Sequence, residues 1–160
     1  MSHWKKDVSV SSVLCWAMKH DTSSLPVKNW PMLLPVMLHL IDDTNNSVRT
    51  KGLQTLQAFL SKCPSRILFS TGMGRVFEDA VFPSLFLLPS SNNENGTVSL
   101  LYEAYRALLQ IANAEQCLNQ KRRLLDRIIR DGILTGYRHA SGAPIAVEIM
   151  LGNFFALSRP

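Results

Sequence analysis

The chain repeats itself at a fixed distance. Gly52, Leu53, Leu56, Phe59, Leu60 and Cys63 recur as Leu101, Tyr102, Tyr105, Leu108, Leu109 and Ala112, each 49 positions further on. Steps of three and four place each set on one stripe of an α-helix. The opposite faces correspond at the same shift, with Gln54, Gln57 and Ser61 matching Glu103, Arg106 and Gln110. Upstream, Leu34-Pro35-Val36-Met37-Leu38-His39-Leu40 aligns with Phe82-Pro83-Ser84-Leu85-Phe86-Leu87-Leu88 at a shift of 48. Each unit therefore predicts a proline-bearing first helix followed by an amphipathic second helix. Such a pair cannot bury its stripe alone. It must stack on neighbouring pairs, where each buried Leu or Phe contributes roughly 1.5–3 kcal/mol.

A period in the upper forties sits at the long edge of the roughly 40–47 residues of HEAT and armadillo repeats. The junctions agree with a helix-pair reading. Asn29 is placed to cap the first helix, with Pro31 in its opening turn, where a missing N–H costs nothing. Asp42-Asp43-Thr44-Asn45-Asn46 is a turn of residues that bond their own backbone, and Asn46 or Ser47 is expected to cap the next helix. Residues 88–96 form a longer polar loop in the second unit. A third pair is expected from Leu124, Leu125, Ile128, Ile129, Gly132 and Ile133, a break at Ser141-Gly142-Ala143-Pro144, and a final apolar helix. Val10, Val13, Leu14 and Ala17 predict a leading helix over residues 7–20. The expected fold is all-α, a solenoid of HEAT-like helical hairpins with about three repeats and about seven helices. The repeats are placed at residues 30–63, 73–112 and 117–157. The apolar last helix, without a polar capping unit after it, predicts that these repeats belong to a longer solenoid.

With 160 residues, 46% of them apolar and 18% charged, the composition is globular rather than disordered. No apolar run reaches the roughly 18–20 residues of a bilayer-spanning helix. The amino end carries Trp4, Lys5, Lys6 and Asp7 and no signal-peptide core. Cys15, Cys63 and Cys117 are an odd number, far apart and without histidines at ligand spacing, and so read as reduced thiols. A cytoplasmic and also nuclear location is expected, which makes the triplets Asn45-Asn46-Ser47 and Asn95-Gly96-Thr97 chance matches to a glycosylation signal. The formal charge of +5 leaves acidic partners open without demanding them.

Chemistry-bearing constellations are sparse. Gly72-x-Gly74 lacks the preceding strand and the following Gly-Lys-Ser/Thr of a phosphate loop. Its expected role is a change of chain direction, with Thr71 capping the helix that opens near Met73. His39 with Asp42-Asp43 has no pocket and no second group to make an acid–base or metal site. These residues read as a helix-end turn, with Arg49 bonding either Asp43 or a neighbouring repeat. Ser70, Ser90 and Ser141 have no nucleophile elbow. No catalytic residue, cofactor or metal ligand is expected.

Two surfaces are candidates for protein binding. Arg123, Arg127 and Arg130 step by four and three along one helix face, with Asp126 and Asp131 as expected neutralising partners. Without interleaved aromatics, this stripe fits nucleic acid poorly. The second candidate is an exposed stripe on the last helix, Met150, Leu151, Phe154 and Phe155, large enough to require further repeats or another subunit. Tyr102 and Tyr105 are read as core.

Leu34 to Asp43 followed by Val48-Arg49 has the Asp-to-Val-Arg spacing of HEAT repeats. A longer succession follows it. Leu60-Ser61-Lys62-Cys63-Pro64 precedes Thr71-Gly72-Met73-Gly74-Arg75-Val76-Phe77-Glu78-Asp79-Ala80-Val81-Phe82-Pro83, then Leu88-Pro89 and Leu100-Leu101-Tyr102-Glu103-Ala104-Tyr105-Arg106. It resembles the TEL-two-interacting protein 2 family, a HEAT-repeat subunit of the TTT (Triple T) co-chaperone complex. Pro35, Asp43, Val48, Arg49, Gly72, Gly74, Phe77, Pro83 and Tyr105 are the structural repeat signature. Where family members often have a proline after the Ala-Tyr pair, Arg106 stands here. The resemblance implies a non-enzymatic scaffold that partners other helical-repeat subunits. Through the chaperone machinery it would support maturation of phosphatidylinositol-3-kinase-related kinases. The alternatives from the residues themselves are a generic HEAT adaptor with another client, or a basic helical module associated with nucleic acid.

Overall fold

The computed structural model describes residues 8–20, 28–87, 94–139 and 144–158, and these are helical with no strand among them. In chain order the elements are α1 (Val8–His20), α2 (Trp30–Ile41), α3 (Asn46–Lys62), α4 (Ser65–Ser70) and α5 (Met73–Val81). A 3₁₀ segment (Phe82–Phe86) follows, then α6 (Glu94–Ala114) and α7 (Leu118–Arg127). A π-helical stretch (Ile128–Leu134) leads into α8 (Thr135–His139), and α9 (Pro144–Ser158) comes last. No described helix is long and apolar enough to cross a membrane.

Local chemistry sets the boundaries. Asn29 precedes α2, but its side chain makes no capping bond; its carbonyl alone accepts from the Met32 and Leu33 amides at 3.0 and 3.2 Å. Pro31 lies in the first turn and Pro35 in the helix interior. The cap of α3 is Asn45, one residue before the expected position, with its Oδ1 accepting from the Ser47 amide at 2.9 Å. Asn45 has the extended backbone an N-cap needs, whereas Asn46 is already helical. Asp43 Oδ1 in turn accepts from the Asn45 amide at 2.8 Å, so the acidic pair shapes the turn. Asn46 points across to α6 and donates to Thr97 Oγ1.

Two expectations are corrected between α4 and α6. Thr71 does not cap α5. Its hydroxyl donates back to the Ile67 carbonyl at 2.7 Å and closes α4. The cap position belongs to Gly72 at φ 76°, a left-handed backbone that a side chain would strain. Pro83 does not sit inside a first helix as Pro35 does. It stands in the first turn of the 3₁₀ segment that follows α5, so matched prolines have different local surroundings.

Packing follows the sequence stripes. The helix α3 packs against α1, α2 and α6. α2 touches α5, while α5, the 3₁₀ segment, α7 and α9 all contact α6. Ile41, Leu53, Leu56, Phe59, Phe77, Leu85, Leu101, Tyr105 and Leu108 are fully buried in one contiguous core. The rings of Phe59 and Phe77 meet edge-on at 6.0 Å. α2 and α3 come close together at Gly52, where a Cβ would stand 2.9 Å from the backbone of Leu40 and Ile41.

Candidate functional site

The arginine stripe is held from within the molecule. Glu78 on α5 is buried, only 3% exposed, and receives Arg123 Nη2 at 2.9 Å and Arg127 Nη1 at 2.8 Å. Arg127 also reaches Asp79 at 3.0 Å and lies 3.9 Å above the ring of Phe82. Burial alone would lower the Arg127 pKa, but the hydrogen bonds and charges of Glu78 and Asp79 outweigh it and raise the value. Of the two neutralising partners expected from sequence, Asp131 meets Arg130 at 3.5 Å, while Arg123 and Arg127 are neutralised from α5. The sequence carried a signal for this. Glu78 stands between Phe77 and Val81, both fully buried, and so lies at the buried edge of its own helix.

A second polar knot joins α3 to α6. Glu103 is 9% exposed, and its carboxylate accepts from Gln54 Nε2 at 3.1 Å and Gln57 Nε2 at 2.6 Å. Gln110 Nε2 donates to the Gln57 carbonyl at 3.1 Å. Cys15 on α1 extends the knot by donating its thiol to Gln54 Oε1. Of the outward faces read from the sequence, Gln54, Gln57, Glu103 and Gln110 therefore meet one another, while Ser61 and Arg106 stay exposed. Tyr105 is core as expected, but Tyr102 is half exposed, with Arg106 stacked 5.6 Å from its ring.

The remaining signature residues are structural in their contacts. Val48 is buried, and Arg49 donates to Ser84 Oγ at 2.9 Å across to the 3₁₀ segment, the neighbour-bonding alternative of the two expected. Desolvation lowers the Arg49 pKa against the opposing charges of Asp42 and Asp43. A Cβ at Gly74 would meet Phe69 Cε1 at 2.7 Å, so this glycine serves packing. Among the described residues no group of three or more His, Cys, Asp and Glu side chains is gathered to hold a metal.

On α9 the expected exposed stripe is corrected at Met150, which is fully buried and packed against Gly136. Leu151 is exposed, as are Ile145, Leu134 and Tyr137 nearby in sequence. The side chains of Phe154 and Phe155 lie outside the described residues. On α1, Val13 and Trp16 are exposed in the same way.

The model of the Tti2 family matches residues 1–156 of the chain. No solved structure matches it.

Proposed function

We propose, since the chain belongs to the Tti2 family, that it works as a non-enzymatic scaffold subunit of a TTT-type co-chaperone complex. In this reading it binds other helical-repeat subunits and, through the chaperone machinery, supports maturation and stability of phosphatidylinositol-3-kinase-related kinases in the cytoplasm and nucleus. The family match over residues 1–156 carries the proposal. The packing agrees with it. The contacts of α3 with α1, α2 and α6, and of α2 with α5, support reading the chain as a HEAT-like solenoid with repeats at 30–63, 73–112 and 117–157. Exposed apolar residues on α1 (Val13, Trp16) and α9 (Ile145, Leu151) are suited to contact with further repeats or with a partner subunit.

The occupancy of Arg123 and Arg127 by Glu78 speaks against a nucleic-acid role for that stripe. Depletion of the protein with re-expression from a resistant copy tests the reading. Levels of phosphatidylinositol-3-kinase-related kinases should fall on depletion and return with the wild-type chain. Unchanged levels would remove the co-chaperone role and leave a generic scaffold.

A further inference from the structure

Threonine side chains mark a change of helical register along the chain. The hydroxyls of Thr50, Thr55 and Thr71 each donate to the carbonyl four residues back, at 2.7, 2.8 and 2.7 Å, as α-helical geometry dictates. Thr135 instead reaches five residues back. Its hydroxyl donates to the Arg130 carbonyl at 3.0 Å, and its backbone amide is bonded to the same carbonyl. These bonds close the π-helical stretch Ile128–Leu134, whose wider turn holds one residue more than an α-turn. The core around the stretch leaves a polar atom unsatisfied. A Cβ on Gly132 would stand 2.9 Å from Leu85 Cδ1 and 3.5 Å from the Tyr105 hydroxyl, and that buried hydroxyl has no hydrogen-bond partner among the described residues.

The extra residue decides what faces α9. An α-helix turns by about 100° per residue, so taking up or expelling one residue rotates α8 by that angle relative to α7. α7 itself is fixed to α5 through Arg123, Arg127 and Glu78. α9 rests on α6, the π-helical stretch and α8. In the π register Gly136 faces Met150, which is fully buried, and a Cβ on Gly136 would stand 2.7 Å from Met150 Cε. In a continuous α-helical ladder Thr135 would take the place of Gly136, and its branched side chain would fill the space that Met150 occupies. Leu134 and Tyr137 are exposed, so the π register rests on the glycine–methionine contact and not on burial of the largest side chains.

We infer that Ile128–Leu134 is a register switch that controls the docking of α9. With the extra residue in the turn, Gly136 receives Met150 and α9 packs on the core. When the turn reverts to an α-helix, Thr135 displaces Met150 and α9 leaves α8 and the stretch before it. The amide and hydroxyl of Thr135, both on the Arg130 carbonyl, latch the docked form.

Amide hydrogen exchange of the whole chain, read peptide by peptide by mass spectrometry, tests this. Ile128–Leu134 and α9 should exchange together, and faster than α3. Thr135→Val removes the hydroxyl latch and puts an apolar side chain where the α register would turn it inward. Exchange in α9 should rise about three- to tenfold, with α3 unchanged. Thr135→Ser, which keeps the hydroxyl, should stay near the parent rate. Deletion of Arg130, an exposed residue paired with Asp131, takes the extra residue out of the sequence and leaves Gly136 facing Met150 in an α-helical turn. α9 should then be protected at least as well as in the parent, and adding Thr135→Val should have no effect. The circular dichroism spectrum should stay helical throughout. Unchanged α9 protection in Thr135→Val, faster α9 exchange after the deletion, or exchange of Ile128–Leu134 as slow as that of α3 would each overturn the inference.

Discussion

Gln54 and Glu103 stand 49 residues apart in the chain, and their side chains are hydrogen-bonded at 3.1 Å. The separation is that of the sequence self-match, so equivalent positions on α3 and α6 face each other directly. A repeat that is visible as a pattern is here also a contact. Gln57 completes the junction by donating to the other carboxylate oxygen at 2.6 Å.

Replacing Glu103 by alanine leaves the half-buried Gln54 amide without this acceptor and Gln57 with only the backbone carbonyl of residue 103 at 3.3 Å. The expected cost is about 1–3 kcal/mol. For a chain of this size that lowers the melting temperature by about 2–4 °C per kcal/mol. Thermal unfolding followed by circular dichroism measures it. Glu103→Gln, which keeps one acceptor oxygen, should lose less.

Glu78→Leu should be worse than Arg123→Ala. The first strands Arg127 beside Phe82 with only the exposed Asp79 for company, whereas the second leaves Glu78 its bond to Arg127. Loss of a charge-bearing hydrogen bond in the buried partner costs about 1.5–3 kcal/mol, and the half-exposed arginine less. Parallel urea titrations of the two variants check the order.

Tyr105 is fully buried, and among the described residues its hydroxyl has no hydrogen-bond partner. Burial pushes its pKa well above the ordinary tyrosine value. With the folded value raised, the associated stability is complete below the ordinary value of about 10 and is lost as pH climbs above it. Tyr105→Phe should therefore be neutral or slightly stabilising at pH 7 and should flatten the alkaline fall in melting temperature. Melting curves of both proteins from neutral to strongly alkaline pH decide the point.

Gly52→Val should break the contact between α2 and α3, because even a Cβ there meets helix backbone, which cannot swing aside. Overpacking at such a crossing costs about 1–3 kcal/mol. Gly72→Ala has open space around it but a φ of 76°, so its cost of about 1–2 kcal/mol would be strain alone. The two denaturation midpoints measure these costs.

The helices were legible because apolar spacing is a local signal. Leu53, Leu56 and Phe59 step correctly and all three are buried. Polar partners were not legible, since a charge pattern on one helix does not say which helix it faces. The Arg123 and Arg127 stripe was visible, yet Glu78 answers it from 45 and 49 residues away. Tyr102 and Tyr105 are three apart on one helix, and only the second is buried, because the stripe passes through Leu101, Tyr105 and Leu108 and leaves Tyr102 at its edge. Met150 was misplaced for a related reason. The last helix is apolar on all sides, so no polar face marks which residues turn inward.

The scaffold role is tested most directly by affinity purification of the tagged full-length protein beside its Leu151→Asp and Phe154→Asp variants, with bound proteins identified by mass spectrometry. The account predicts that the wild type retrieves helical-repeat subunits in stoichiometric amounts, and that the substitutions on α9 reduce this while the helical circular dichroism spectrum is kept. Recovery of no helical-repeat partner by the wild-type protein would contradict it.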